Sequence, residues 1–203
     1  MRLFTGLSIG SDVLRNLESV LNELRPTAGI RWSPRENLHI TTKFIGHWAD
    51  EKLPLLQTAL AEMEPRPSFR VEVSGFGYYP NPHRPTVLFA AVHENPSLTA
   101  LAAGIDAALE RIGCEPETRP YSPHITLARI GSHRGHNEHK DREEIIALRE
   151  KIASMVNMNQ SEFGSFVPAA FHLYLSQSSP GGSVYRILSS YPLAENTAAG
   201  PAA

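Results

Sequence analysis

The chain has 203 residues, 41% hydrophobic and 20% charged, with a formal net charge of −2 and an isoelectric point near 6.5. That is enough apolar material for one substantial core or two small lobes, and too little positive charge for an extended non-specific nucleic-acid surface. Its one cysteine, Cys114, excludes an intrachain disulfide or a CxxC pair; no apolar run reaches membrane-span length and MRLFTGLSIG lacks a signal-peptide pattern, so the protein is expected in the cytoplasm.

Residues 2 to 9 predict a strand, after which Ser11 is placed to cap a helix whose Val13, Leu14, Leu17, Val20, Leu21 and Leu24 keep helical spacing up to Pro26. The run from Leu38 to Ile45, closed by Gly46 and rich in β-branched and aromatic residues, predicts a strand. A second helix is predicted over 50–64, with Pro54 tolerated in its first turn and Pro65 and Pro67 behind it, then a strand over 69–79. After the break YYPNPHRP the order starts again. A strand over 86–92 leads to a helix opened by Asn95 and Pro96 and stopped at Gly113, then to the strand SPHITLARI, a polar loop, a helix over 141–155 and a strand over 170–175. Val184 to Leu188 predicts a closing hairpin strand, and residues 194–203, AENTAAGPAA, are expected to be a disordered tail.

The two halves carry the same short segment, HITT from His39 and HITL from His124. Side chains two apart on a strand point the same way, so His39 joins Thr41 and His124 joins Thr126, each pair half of an acid–base site. The recurring order of elements assigns quasi-repeats of about 1–80 and 84–193 to one bilobal α+β domain over 1–193. A pseudo-twofold axis between such lobes brings the motif strands face to face across a cleft.

The segments ENLHITTKFIG and RPYSPHITLARI, with the opening MRLF and the late FHLYLSQS and YRIL, resemble the two-histidine phosphoesterase superfamily, in its 2′-5′ RNA ligase branch. The resemblance covers about residues 1–193. Thr42 departs from the leucine expected at that place, but it should point away from the cleft and touch only packing. The resemblance implies antiparallel sheets flanked by helices, and the opening of 2′,3′-cyclic phosphates on RNA ends or small nucleotides to 2′-phosphomonoesters. His39 would be the general acid and His124 the general base, with Thr41 and Thr126 donating hydroxyls to the phosphoryl oxygens. No metal, other cofactor or protein partner is implied.

Two cations are candidates for substrate binding. Lys43 shares a face with His39 and Thr41 if the strand is regular. Arg129 matches the family's arginine after the second motif, yet its offset of five from His124 puts it on the opposite face unless a bulge or the strand's end intervenes. Phe44, Tyr121 and Tyr185 are placed to stack on a base, although packing accounts for them equally. His133, His136 and His139, spaced by three, invite a metal reading, but no cysteine or spaced carboxylate set completes a site. No P-loop, dinucleotide fingerprint or GxSxG elbow is present. The rivals are the reverse reaction, a 2′-5′ RNA ligase acting on tRNA halves, and a non-catalytic RNA-binding or scaffold protein. Ligation without a nucleoside triphosphate draws on the cyclic phosphate's own energy, so water at about 55 M favours hydrolysis.

Overall fold

The computed structural model describes residues 1–130, 138–158, 160–180 and 182–194. Within them the strands are β1 (Arg2–Ser8), β2 (Arg31–Trp32), β3 (His39–His47), β4 (Val71–Tyr79), β5 (Val87–Val92), β6 (His124–Arg129), β7 (Glu162–Phe166), β8 (Ala170–Ser179) and β9 (Gly182–Pro192). The helices are α1 (Ser11–Leu24), α2 (Leu53–Ala61), α3 (Pro96–Glu110) and α4 (Glu138–Asn157). The α+β class holds, with an antiparallel sheet and helices packed on it.

Local chemistry sets most of these elements. Val13, Leu17, Val20, Leu21 and Leu24 form the buried stripe of α1, whose N-cap is Gly10 rather than Ser11. The Asn95 side chain accepts a hydrogen bond from the Leu98 N–H (3.0 Å) ahead of Pro96 and starts α3 as expected. The helix expected over 50–64 shortens to α2, with a 3-10 turn at Asp50–Lys52 before it. β2 and β7 are too short for a recognisable alternation and escape the sequence pattern.

The strands follow one path, β7-β4-β5-β6-β3-β1-β8-β9, with β2 beside β6. The motif strands β3 and β6 adjoin at the single pair Ile40 and Ile125, where β7-β4-β5-β6 meets β3-β1-β8-β9. One expectation changes here, because the sequence repeats are not spatial halves: β4, from the first repeat, pairs with β5, whereas β8 from the second pairs with β1. The helices cross over as well, α1 packing on β7 and α3 on β3. Strand hydrogen bonding between the repeats therefore binds them into one unit.

Alternation along the strands sorts the two faces. Leu3 and Leu7 of β1, Leu88, Ala90 and Val92 of β5, and Ile40, Ile125 and Leu127 enter a common core with the helices. Phe4 and Gly6, and their β8 partners Tyr174 and His172, take the other face. Ala194, assigned to the tail by sequence, is anchored: its N–H donates to the Arg66 carbonyl (2.8 Å) and its carbonyl accepts from Ser68 (2.7 Å). Residues 195–203 lie outside the described residues.

Candidate active site

The two imidazoles are held in the same way. The Nδ1–H of His39 donates to the Asn37 carbonyl (2.6 Å), and that of His124 to the Ser122 carbonyl (2.8 Å). A carbonyl only accepts, so each neutral ring carries its hydrogen on Nδ1 and leaves Nε2 as the basic atom. In that state the Thr41 hydroxyl donates to His39 Nε2 (3.0 Å).

A bulge at the same place in each strand decides what else reaches this face. Against β1, Lys43 pairs with Thr5 and Thr41 with Gly6, leaving Thr42 as the extra residue. Against β5, Ala128 pairs with Leu88 and Thr126 with Phe89, leaving Leu127 extra. Burial from the histidine onward runs half-buried, buried, half-buried, buried, buried, exposed in both. The residue five past each histidine thus returns to the histidine's face: Phe44 on β3 and Arg129 on β6.

Arg129 thereby joins the site, its charge acting on both imidazoles. Lys43 does not: the bulge turns it to the core side, where its side chain is 4% exposed and its ammonium pairs with Asp106. The ammonium also donates to the Glu115 carbonyl (2.8 Å). Thr42 points away from the histidines as expected, sharing a 2.7 Å hydrogen bond with the Thr5 hydroxyl inside the core.

Aromatic rings back both imidazoles. His39 lies 4.7 Å from the Phe4 ring, 5.2 Å from Tyr185 and 5.9 Å from Tyr174. His124 lies 5.1 Å from Tyr79 and 5.2 Å from Phe89. Two glycines make room: a Cβ on Gly6 would sit 2.6 Å from the Ile40 carbonyl oxygen, and one on Gly77 2.1 Å from the Phe89 ring. Tyr121 is a brace, its hydroxyl donating to the Thr41 carbonyl (2.9 Å) and so tying one motif to the other. Phe4, Tyr174, Tyr79 and Phe89 escape sequence reading because cross-strand partners far away in the chain bring them in.

Burial pushes the His39 pKa down to about 4, helped by the charges of His124 and Arg129 and opposed by the Asn37 carbonyl. His124 is lowered for the same first reason, with the Ser122 carbonyl opposing and Arg129 assisting. His133, His136 and the side chain of His139 lie outside the described residues, among which no three histidine, cysteine or acidic side chains group as metal ligands.

Paired imidazoles with Nδ1–H fixed on carbonyls, a threonine two residues past each and an arginine whose charge acts on both are a set suited to an anionic group. On this sheet they define a two-histidine phosphoesterase. The family described as LigT-like phosphoesterase matches residues 7–89 and again 91–170. An RNA 2′,3′-cyclic phosphodiesterase of Archaeoglobus fulgidus is 30% identical over 189 residues, 93% of this chain and 98% of the relative. One from Thermus thermophilus is 36% identical over 138 residues, 64% of this chain and 68% of the relative. A solved protein of Thermus thermophilus has a TM-score of 0.73 at 28% identity, over 95% of this chain and 98% of that one. E. coli LigT, solved with 3′-AMP, has a TM-score of 0.72 at 23% identity, over 95% and 97%. The chain belongs to the LigT-like phosphoesterase family and is a hydrolase. None of its described helices is long and apolar enough to cross a membrane.

Proposed function

We propose that this phosphoesterase opens 2′,3′-cyclic phosphates on RNA ends or small nucleotides and leaves a 2′-phosphomonoester. The observation that carries the reading is the matched pair of motifs, each with an Nδ1–H fixed on a carbonyl and an Nε2 left basic. The name of the Archaeoglobus fulgidus relative supports the substrate class.

His124 Nε2 takes a proton from water as its oxygen attacks phosphorus. The bond from phosphorus to O3′ breaks, and His39 Nε2–H gives its proton to O3′. Charge growing on the non-bridging oxygens meets the hydroxyls of Thr41 and Thr126 and the Arg129 guanidinium. His39 is neutral in the empty cleft at neutral pH, its pKa being about 4, and the phosphate anion draws the proton onto it. Protonation of Nε2 ends its role as acceptor for Thr41, so that hydroxyl turns its hydrogen to the phosphoryl oxygen in the same step. Phe44, 60% exposed at the outer end of the site, offers a face to a base.

The test is incubation with a nucleoside 2′,3′-cyclic phosphate in EDTA, with chromatographic separation of the 2′- and 3′-phosphate products. The 2′-phosphate alone is expected. A 3′-phosphate product would overturn the bond assignment, and binding without turnover would favour a scaffold.

A further inference from the structure

β2 contributes only two residues to the sheet, yet it sets Arg31 directly opposite Arg129 of β6, with Trp32 opposite Ala128. Trp32 packs on the core and donates through its indole to the Ala28 carbonyl (3.1 Å). Alternation then turns Arg31 to the other face, which Arg129 shares with both histidines. Directly paired residues have Cβ atoms about 5 Å apart, and like charges there repel. Both arginines are exposed, and among the described residues neither has an ion pair or hydrogen-bond partner. The Ser33 N–H donates to the Leu127 carbonyl (2.8 Å), fixing the strand so that the two charges cannot part by slipping. Two guanidinium groups kept at one register position are a standing repulsion that a bound anion removes.

Arg129 is the member nearer the chemistry, since its charge acts on both imidazoles and that of Arg31 on neither. Arg129 stands five positions past His124 on β6, roughly 15 Å of strand, and Arg31 lies across the ladder from that far end. It stands beyond a phosphate held between the histidines. We propose that Arg31, together with Arg129, binds a second phosphate, carried on the 5′ side of the nucleotide being opened. Arg31 is then a positioning residue that selects phosphate-bearing ends over bare cyclic mononucleosides. This rests on the cyclic-phosphate reading above.

Three substrates separate the sources of that phosphate: a nucleoside 2′,3′-cyclic phosphate, the same compound with a 5′-phosphate, and a dinucleotide ending in the cyclic phosphate. For the native chain, KM is expected about tenfold lower for either phosphate-bearing substrate than for the first. Arg31→Met should remove that advantage without changing kcat, and Arg31→Lys should restore part of it. If only one of the two phosphate-bearing substrates shows the effect, that source is the ligand. An equal effect of Arg31→Met on all three substrates, or none on any, overturns the proposal.

Binding of a nucleoside 3′,5′-bisphosphate against its 3′-monophosphate, followed by calorimetry, tests the pair without turnover. If no substrate is opened, the cyclic-phosphate reading fails while this measurement still decides the second-phosphate site: a bisphosphate preference lost in Arg31→Met supports it, and equal affinities refute it. Arg31→Met should also raise Tm in anion-free buffer, because it removes a repulsion rather than a contact. A lower Tm there would count against the standing repulsion.

Discussion

Over six residues β3 and β6 are built to one plan: histidine, buried isoleucine, threonine, two buried residues across a bulge, and an exposed residue on the histidine's face. Their surroundings differ. Among the described residues His39 has three rings about it and a pKa of about 4, whereas His124 has two rings and the exposed position on its strand is Arg129 rather than Phe44. Equal backbones thus present equivalent Nε2 atoms, and the cross-strand neighbours make them unequal. The motif provides two imidazoles, and the rings and charges around them differ; under the proposed mechanism they take different roles.

The strongest way to break the comparison is to remove each imidazole in turn. His39→Ala and His124→Ala should each lower kcat by about 10²–10⁴ on a cyclic nucleotide. A p-nitrophenyl phosphodiester, whose leaving group needs no proton, then tells the strands apart. His39→Ala should hydrolyse it at close to the native rate and His124→Ala should not; rescue of His124→Ala alone would exchange the two roles.

What could be read in the sequence were the period-2 pairing of each histidine with its threonine and most of the strand and helix order. These are local signals. The bulges are not, and they alone decide that Arg129 joins the histidines while Lys43 leaves them, the reverse of what regular alternation puts on that face. The exchange of β4 and β8 between the repeats, and the rings behind each imidazole, depend on pairing between distant segments that no short pattern records. Lys43 provides a test: Lys43→Met leaves Asp106 partly buried without its ammonium, which should cost about 3–5 kcal/mol in denaturant unfolding. Because Lys43 is off the cleft face, kcat and KM of the folded fraction should stay unchanged, and a raised KM would return it to the substrate.

Arg129→Met should lower kcat/KM by about 10–100-fold, the range of a lost charge-assisted hydrogen bond. It should also move the pH profile in a defined direction. In the native free enzyme the active form carries one proton on the histidine pair, so kcat/KM is expected to peak in the mildly acidic range, between the lowered values of the two groups, and to fall on either side. Arg129 depresses both groups, so removing its charge lets both rise and shifts the whole bell to higher pH. Bound phosphate has the same sign, and the bell in kcat should therefore lie above that in kcat/KM.

The smallest difference between the two strands lies beneath the site. Where β6 and its neighbour β5 set Leu127 and Leu88 in the core, β3 and its neighbour β1 set Thr42 and Thr5, whose hydroxyls satisfy one another at 2.7 Å. Thr5 is 0% and Thr42 5% exposed, so neither hydroxyl has water to turn to. Thr42→Leu alone introduces the residue that the family resemblance leads one to expect, yet it strands the Thr5 hydroxyl and should cost about 1–3 kcal/mol. Thr5→Val with Thr42→Leu removes both polar groups and should recover most of that loss, which a double-mutant cycle in urea measures as coupling. Activity of the folded protein should be unaffected throughout, since both side chains face the core. Additive losses would mean that the hydroxyl pair is not a unit, and that the two strands differ at this position in packing volume alone.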